Sequence, residues 1–204
     1  SALSVTIDTS GPGAPSITAI TTDTGSSSTD RITSDTTLVL SGTAEASSTV
    51  TVSRTGVGTI GTATADSSGA WSLDYTATTL AEGAHTFTAT ATDAAGNVSA
   101  SSSNFSVTID TSAPNAPSTP DLAAASDTGS SSTDNITSDN TPSFTGTAEA
   151  GASVELFRGA TTSLGTVTAD GTGNWTLTAA TLADGTYSIT AKATDTAGNT
   201  SVAS

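Results

Sequence analysis

The sequence repeats itself at the length of a whole small domain. Asp-Thr-Gly-Ser-Ser-Ser-Thr-Asp at 23–30 returns unchanged at 127–134, and Gly-Thr-Ala-Glu-Ala at 42–46 returns at 146–150, both 104 residues on. Trp71 is matched by Trp175. Ala-Thr-Asp at 91–93 and Ala-Gly-Asn at 95–97 return 102 residues on, at 193–195 and 197–199. Ser-Val-Thr-Ile-Asp-Thr-Ser at 4–10 is identical to 106–112. A period near 100 residues matches one compact domain rather than a short solenoid unit. The expected division is therefore 1–9 as the last strand of a preceding repeat, 10–111 as repeat 1, and 112–204 as repeat 2 with its last strand missing.

Within each copy the apolar residues alternate, and no segment has helical spacing. In the first copy the runs at 17–20, 37–43, 49–54, 60–65, 71–75, 85–92 and 104–109 read as seven strands. Seven short strands in about 100 residues predict an all-β chain of two tandem seven-stranded immunoglobulin-like β-sandwiches in an elongated rod. The expected core is Leu40, Val50, Val52, Trp71, Leu73, Leu80, Phe87, Ala89, Ala91, Phe105, Val107 and Ile109. Its second-copy counterparts include Phe144, Val154, Leu156, Trp175, Leu177, Leu182 and Ile189. Leu-Ala-Asp-Gly-Thr-Tyr at 182–187 has the spacing of a tyrosine corner, in which a Tyr hydroxyl bonds back to the preceding loop. The single histidine, His85, holds that place in the first copy and is read as structural.

Composition sets a problem for this fold. Leu, Ile, Val and Phe make up 32 of 204 residues, about 16%, and the net charge is −15. Such values usually accompany disorder, yet the patterning is regular. Bound cations would reconcile the two by neutralising acid and completing the fold. Only Arg31, Arg54, Arg158 and Lys192 are basic, so phosphate recognition is not expected and nucleic acid is excluded as a partner. There is no cysteine to form a disulfide or bind metal, and no apolar run approaches the ~18 residues of a membrane span.

The acids keep their places between copies. Of 19, sixteen fall at eight matched positions, and only Asp74, Asp121 and Glu155 stand alone. Antiparallel alternation brings Glu149, Asp195 and Asn199 to one end of the second sandwich, where the incoming linker delivers Asp110. The matching set is Glu45, Asp93 and Asn97 with Asp8. Carboxylates this close repel unless a cation lies between them. Calcium, which takes six to eight oxygens in flexible geometry, fits such a set better than magnesium or zinc. Asp66 and Asp170 open ordinary turns and are left out of the set. A second candidate is the loop bearing Asp23, Asp30 and Asp35, matched by Asp127, Asp134 and Asp139, in which Gly25 permits a tight turn. That loop lacks the closing Glu of an EF-hand, and a polar Ω-like loop without metal is the alternative reading.

These motifs together resemble the bacterial Ig-like repeats of very large calcium-dependent surface adhesins, the biofilm-associated kind exported by type I secretion. The resemblance implies calcium at domain junctions, held through Asp8, Glu45, Asp93, Asp110, Glu149 and Asp195. It also implies a non-catalytic extender on the bacterial cell surface, which holds a distal binding domain away from the cell and supports adhesion or biofilm formation. Neighbouring repeats of the same chain are the expected partners. The rival reading is a module that binds carbohydrate or ice directly. An enzyme is not expected, because the acids recur in equivalent places without a histidine base or cysteine. The unmatched strand 3–8 and the absent last strand of repeat 2 suggest either head-to-tail strand donation between molecules or a segment cut from a continuous array with both ends free.

Overall fold

A computed structural model describes residues 2–204, so Ser1, the first residue of the predicted preceding strand, lies outside the described residues. The chain is all β and divides into two compact units, Ser1–Thr111 and Ser112–Ser204. Among the described residues no helix is long and apolar enough to cross a membrane. Each unit is an immunoglobulin-like sandwich.

Unit 1 holds β1 (Ser16–Ile20), β2 (Ile32–Thr33), β3 (Val39–Thr43), β4 (Thr49–Arg54), β5 (Gly58–Thr64), β6 (Ala70–Asp74), β7 (Gly83–Thr92) and β8 (Phe105–Ile109). One sheet runs β1-β3-β6 and the other β2-β8-β7-β4-β5. All seven expected strands are present. The addition is β2, two residues long and parallel to β8, with Ile32 opposite Thr108 and Thr33 opposite Ile109. Alternation along β8 sends Phe105, Val107 and Ile109 inward, and every expected unit 1 core residue is buried. His85 Nε2 donates to the Ala81 carbonyl at 2.8 Å, closing the corner as a tyrosine would.

Two glycines explain why the repeated motifs carry no larger residue. A Cβ on Gly42 would stand 1.9 Å from the Ser16 carbonyl oxygen and 2.8 Å from Trp71 Cζ2. Gly146 faces Trp175 Cζ2 at 2.4 Å in the same way. Each glycine is the floor on which the buried tryptophan lies, so the Gly-Thr-Ala-Glu-Ala motif records a packing requirement.

Unit 2 holds β9 (Asp121–Leu122), β10 (Ser143–Thr147), β11 (Ser153–Arg158), β12 (Thr162–Thr168), β13 (Asn174–Thr178) and β14 (Ile189–Thr194). Its sheets run β13-β10-β9 and β12-β11-β14. Pro120 stands where β1 has Thr18, at the register shift of that strand, and β9 is correspondingly short. Tyr187 forms the expected corner, its hydroxyl donating to the Ala183 carbonyl at 2.8 Å. Two expected core positions differ from expectation. Leu182 and Ile189 are only half-buried, whereas their counterparts Leu80 and Phe87 are buried. Phe87 is paired with Phe105 of β8, whereas among the described residues Ile189 is paired only with Arg158 of β11.

All four basic side chains lie over aromatic rings of their own unit. Arg31 sits 4.8 Å from the Phe105 centroid, Arg54 6.0 Å from Tyr75, Arg158 5.4 Å from Tyr187 and Lys192 5.9 Å from Phe157. Each covers the rim of a thin core with its aliphatic stem while the ring face attracts its charge.

Candidate metal centre

The junction acids are positioned by strand ends. Thr49 pairs with Thr92, so the Glu45 turn before β4 and the Asp93 turn after β7 share one end of their sheet. The Asp93 turn closes through Gly96 at φ 93°, a left-handed conformation that suits glycine. Asp93 Oδ1 accepts the Ala95 and Asn97 backbone N–H groups at 2.9 Å, and Oδ2 accepts Asn97 Nδ2 at 2.8 Å. The hydrogen bond from the Asn97 side chain, with those from the backbone and against some burial, holds this carboxyl below the usual Asp range.

The incoming segment meets that turn directly. Asn97 Nδ2 also donates to the carbonyls of Asp8 at 3.2 Å and Ser10 at 3.3 Å. Three oxygens from two separate stretches therefore converge on one amide nitrogen. Asp8 Oδ1 itself caps the Ser10 N–H at 3.0 Å. The Ser10 carbonyl was not foreseen from the sequence, since a main-chain donor leaves no residue-type signal.

The matched turn in unit 2 has the same internal geometry. Asp195 is buried, its Oδ1 accepts the Asn199 N–H and its Oδ2 accepts Asn199 Nδ2, both at 2.9 Å. Glu149 accepts the Ala152 N–H through its carbonyl at 3.1 Å, as Glu45 does for Ser48. Thr194 pairs with Ser153, so the Glu149 and Asp195 turns also share a sheet end.

The loop acids are engaged locally. Asp30 caps Ile32, Asp35 caps Thr37, Asp134 caps Ile136 and Asp139 caps Thr141, each through the N–H two residues on. Asp23 Oδ2 and Asp127 Oδ2 reach across the loop to the N–H of Arg31 and of Asn135. Gly25 takes φ 97°, as the turn requires. Asp23 Oδ1 and Asp127 Oδ1 are buried with no hydrogen-bond partner among the described residues.

Among the described residues no three His, Asp or Glu side chains come together as a metal-holding group. The donor chemistry at the Asp8 end nonetheless suits calcium. It consists of the Asp8 and Ser10 carbonyl oxygens and the Asp93 carboxylate, hard oxygen ligands of the kind that ion takes.

One result follows for pH. Asp66, Asp74, Asp93, Asp139 and Asp170 all sit below the usual Asp range, held chiefly by hydrogen bonds from Ser68, Thr76, Asn97, Thr141 and Thr172 respectively. Groups depressed on folding stabilise the native state above the unfolded Asp value near 4, and that contribution is lost as pH falls further. The melting temperature should stay level from pH 7 to about 5 and decline below about 4. A melting temperature that rose on acidification below 4 would contradict this assignment.

A family model described as "Bacterial Ig-like domain" matches the chain twice, at residues 12–111 and 113–204. No curated protein matches the sequence. Among solved structures, the chain is similar to a tetra-tandem repeat in the extending region of a large adhesion protein. That match has 23% identity and a TM-score of 0.33, and covers 94% of this chain and 48% of the other. It is similar to the BSP domain of a biofilm-associated protein at 21% identity and TM-score 0.32, covering 94% and 28%. It is also similar to a 1.5-MDa bacterial ice-binding adhesin at 24% identity and TM-score 0.44, covering 93% and 61%. The chain thus spans about half the length of the first of these and about a quarter of the second.

Proposed function

The chain belongs to the bacterial Ig-like domain family, and from that premise we propose that it is a non-catalytic extender segment of a bacterial surface adhesin, stiffened by calcium. The observation that carries the reading is the convergence of the Asp8, Ser10 and Asp93 oxygens on Asn97 Nδ2. An ion in place of the amide group would tie the incoming segment to the body of the repeat. Asp8, Glu45, Asp93 and Asn97 would hold it, with the Asn97 carboxamide turned to present its oxygen. Asp110, Glu149, Asp195 and Asn199 are the counterparts by the sequence match. The ion would supply charge neutralisation and a cross-link, and no reaction.

Two tandem domains of one family, with acids at both strand-to-linker passages, suit a spacer that lengthens by repetition. The surface location and the adhesive context rest on the family and on the motif resemblance. The loop acids Asp23, Asp30, Asp35, Asp127, Asp134 and Asp139 are proposed as a further cation site, carried by the buried unpaired Oδ1 of Asp23 and Asp127.

Calorimetric titration of the 204-residue chain tests the reading. Calcium should bind with a dissociation constant of about 0.1–1 mM, the range of extracellular modules. Asp93→Asn should remove one site and leave the others. Absence of saturable heat up to 10 mM calcium, or an Asp93→Asn isotherm identical to the parent's, would refute it.

A further inference from the structure

Unit 1 carries a cleft of about 210 Å³ between a strand of one sheet and the approach to a strand of the other. One wall is β1, the edge strand of the three-stranded sheet. The other is the stretch from Ser102 to Phe105 that leads into β8. Arg31 joins that second wall, its guanidinium 4.8 Å from the Phe105 ring centroid. None of the residues proposed to hold calcium lines this cleft.

The lining is polar, and its side chains fall into two groups. The Ser16 hydroxyl is shared with that of Thr43, and the Thr18 hydroxyl donates to the Ser41 carbonyl. The Ser102 hydroxyl accepts the Ala89 N–H and donates to the Ser103 carbonyl. These three hold the walls in place. The Arg31 guanidinium, the Asn104 carboxamide and the Ser103 hydroxyl make no hydrogen bond or ion pair among the described residues. The Phe105 ring supports the guanidinium, whose five N–H groups keep their fork free of protein acceptors in a chain with 19 acidic residues.

The backbone gives a separate sign that the turn itself does not call for an arginine. Arg31 has φ 65°, and its counterpart Asn135 has φ 58°. Asparagine enters this left-handed region readily, whereas a long side chain does so at a cost. Unit 2 makes the same turn with the cheaper residue. The Arg31 stem covers the core rim, but its donors serve neither the turn nor the core, and strain of this kind collects where a side chain has a task.

We propose that this cleft binds a sugar acid, a pyranose ring bearing a carboxylate. The Arg31 fork takes the carboxylate through two parallel N–H···O bonds. Asn104 and Ser103, which both donate and accept, take ring hydroxyls. The volume lies below the roughly 300–1,000 Å³ of pockets for drug-sized ligands, which suits a single ring. Arg31, Ser103 and Asn104 are exposed, so the ring's outer substituents stay in water and can continue into a longer glycan. The net charge of −15 opposes an approaching anion, but salt screens it beyond about 8 Å, and the direct contact decides. A neutral sugar leaves the guanidinium unmatched, and a bare carboxylate leaves Asn104 and Ser103 unmatched.

Titration of the 204-residue chain with glucuronate, followed by NMR at fixed ionic strength and calcium, tests this. The Arg31 side-chain resonance and the Ser103 and Asn104 amides should shift saturably, with a dissociation constant on the order of 1 mM. Glucose and acetate should each bind at least about tenfold more weakly. Arg31→Asn installs the residue the matched turn already accepts, so the fold should stand while glucuronate binding weakens at least about tenfold. Arg54→Asn should bind as the parent does. No saturable shift up to about 20 mM glucuronate would overturn the proposal. So would glucose or acetate binding as tightly as glucuronate, or an Arg31→Asn titration identical to the parent's.

Discussion

Gly42→Ala should unfold the first repeat at a far lower temperature than the parent while the second repeat melts where it did. The added methyl group would lie 1.9 Å from the Ser16 carbonyl oxygen, which belongs to β1 backbone paired across to Thr43. It would also press on Trp71, which is 3% exposed and has no room to retreat. Overpacking a filled core costs about 1–3 kcal/mol, and a backbone obstacle places this case at the upper end. For a domain of about 100 residues that corresponds to a drop of roughly 12–24 °C. Gly146→Ala should cost less, since the atoms it meets are the Trp175 ring and the Ser118 hydroxyl, and a hydroxyl can rotate away. Hydrogen exchange resolved to β3 and β6 separates the two units. Parent-like protection of β3 in Gly42→Ala would show that the tryptophan floor is not as rigid as the packing implies.

Removing calcium should produce the second large effect. At about 100-fold excess over its dissociation constant, one ion bound only to the native state adds roughly 2.7 kcal/mol. Against a typical domain stability of about 5–15 kcal/mol that is a large share. With a dissociation constant of about 0.1–1 mM, the melting temperature in 10 mM calcium should exceed that in chelator by roughly 6–20 °C for the domain that holds the ion. The net charge of −15 also repels itself, so the comparison needs matched ionic strength and a magnesium control. Magnesium demands stricter octahedral geometry and should reproduce only a small part of the shift. Equal melting temperatures in calcium and chelator, within about 2 °C, would contradict the proposed junction role.

The sandwich was legible because Val50, Val52, Leu73, Phe87 and Val107 each alternate with polar neighbours, and because a second copy repeats the pattern. The strand β2 was not legible. Ile32 and Thr33 are extended only because β8, more than 70 residues later, lies beside them, and no local pattern encodes such a pairing. Leu182 and Ile189 looked like core for a related reason: their side-chain type matches Leu80 and Phe87, but burial depends on a neighbouring strand. At the candidate centre, the recurrence of the acids was read as a sign of shared cations. The structure supplies a local reason as well. Asp8, Asp30, Asp35, Asp66, Asp93, Asp139 and Asp170 each accept the N–H two residues on. Turn chemistry alone would keep an aspartate in these places. The approach of Asp8 to Asn97 is the part that turn chemistry does not require, and it joins residues 89 apart in sequence.

The parallel contact between β2 and β8 has a mechanical consequence. Two parallel strands, one entered from the amino-terminal side of the repeat and the other leaving toward the carboxyl-terminal side, are drawn in opposite directions along their own length when the ends are pulled. The hydrogen bonds from Thr108 N to Arg31 O at 2.8 Å and from Asp110 N to Thr33 O at 2.9 Å then lie across the direction of force. They must yield together in shear rather than open one after another like a zip. The patch of two residues therefore resists separation of the two ends in shear, alongside the antiparallel pairing of β1 with β3.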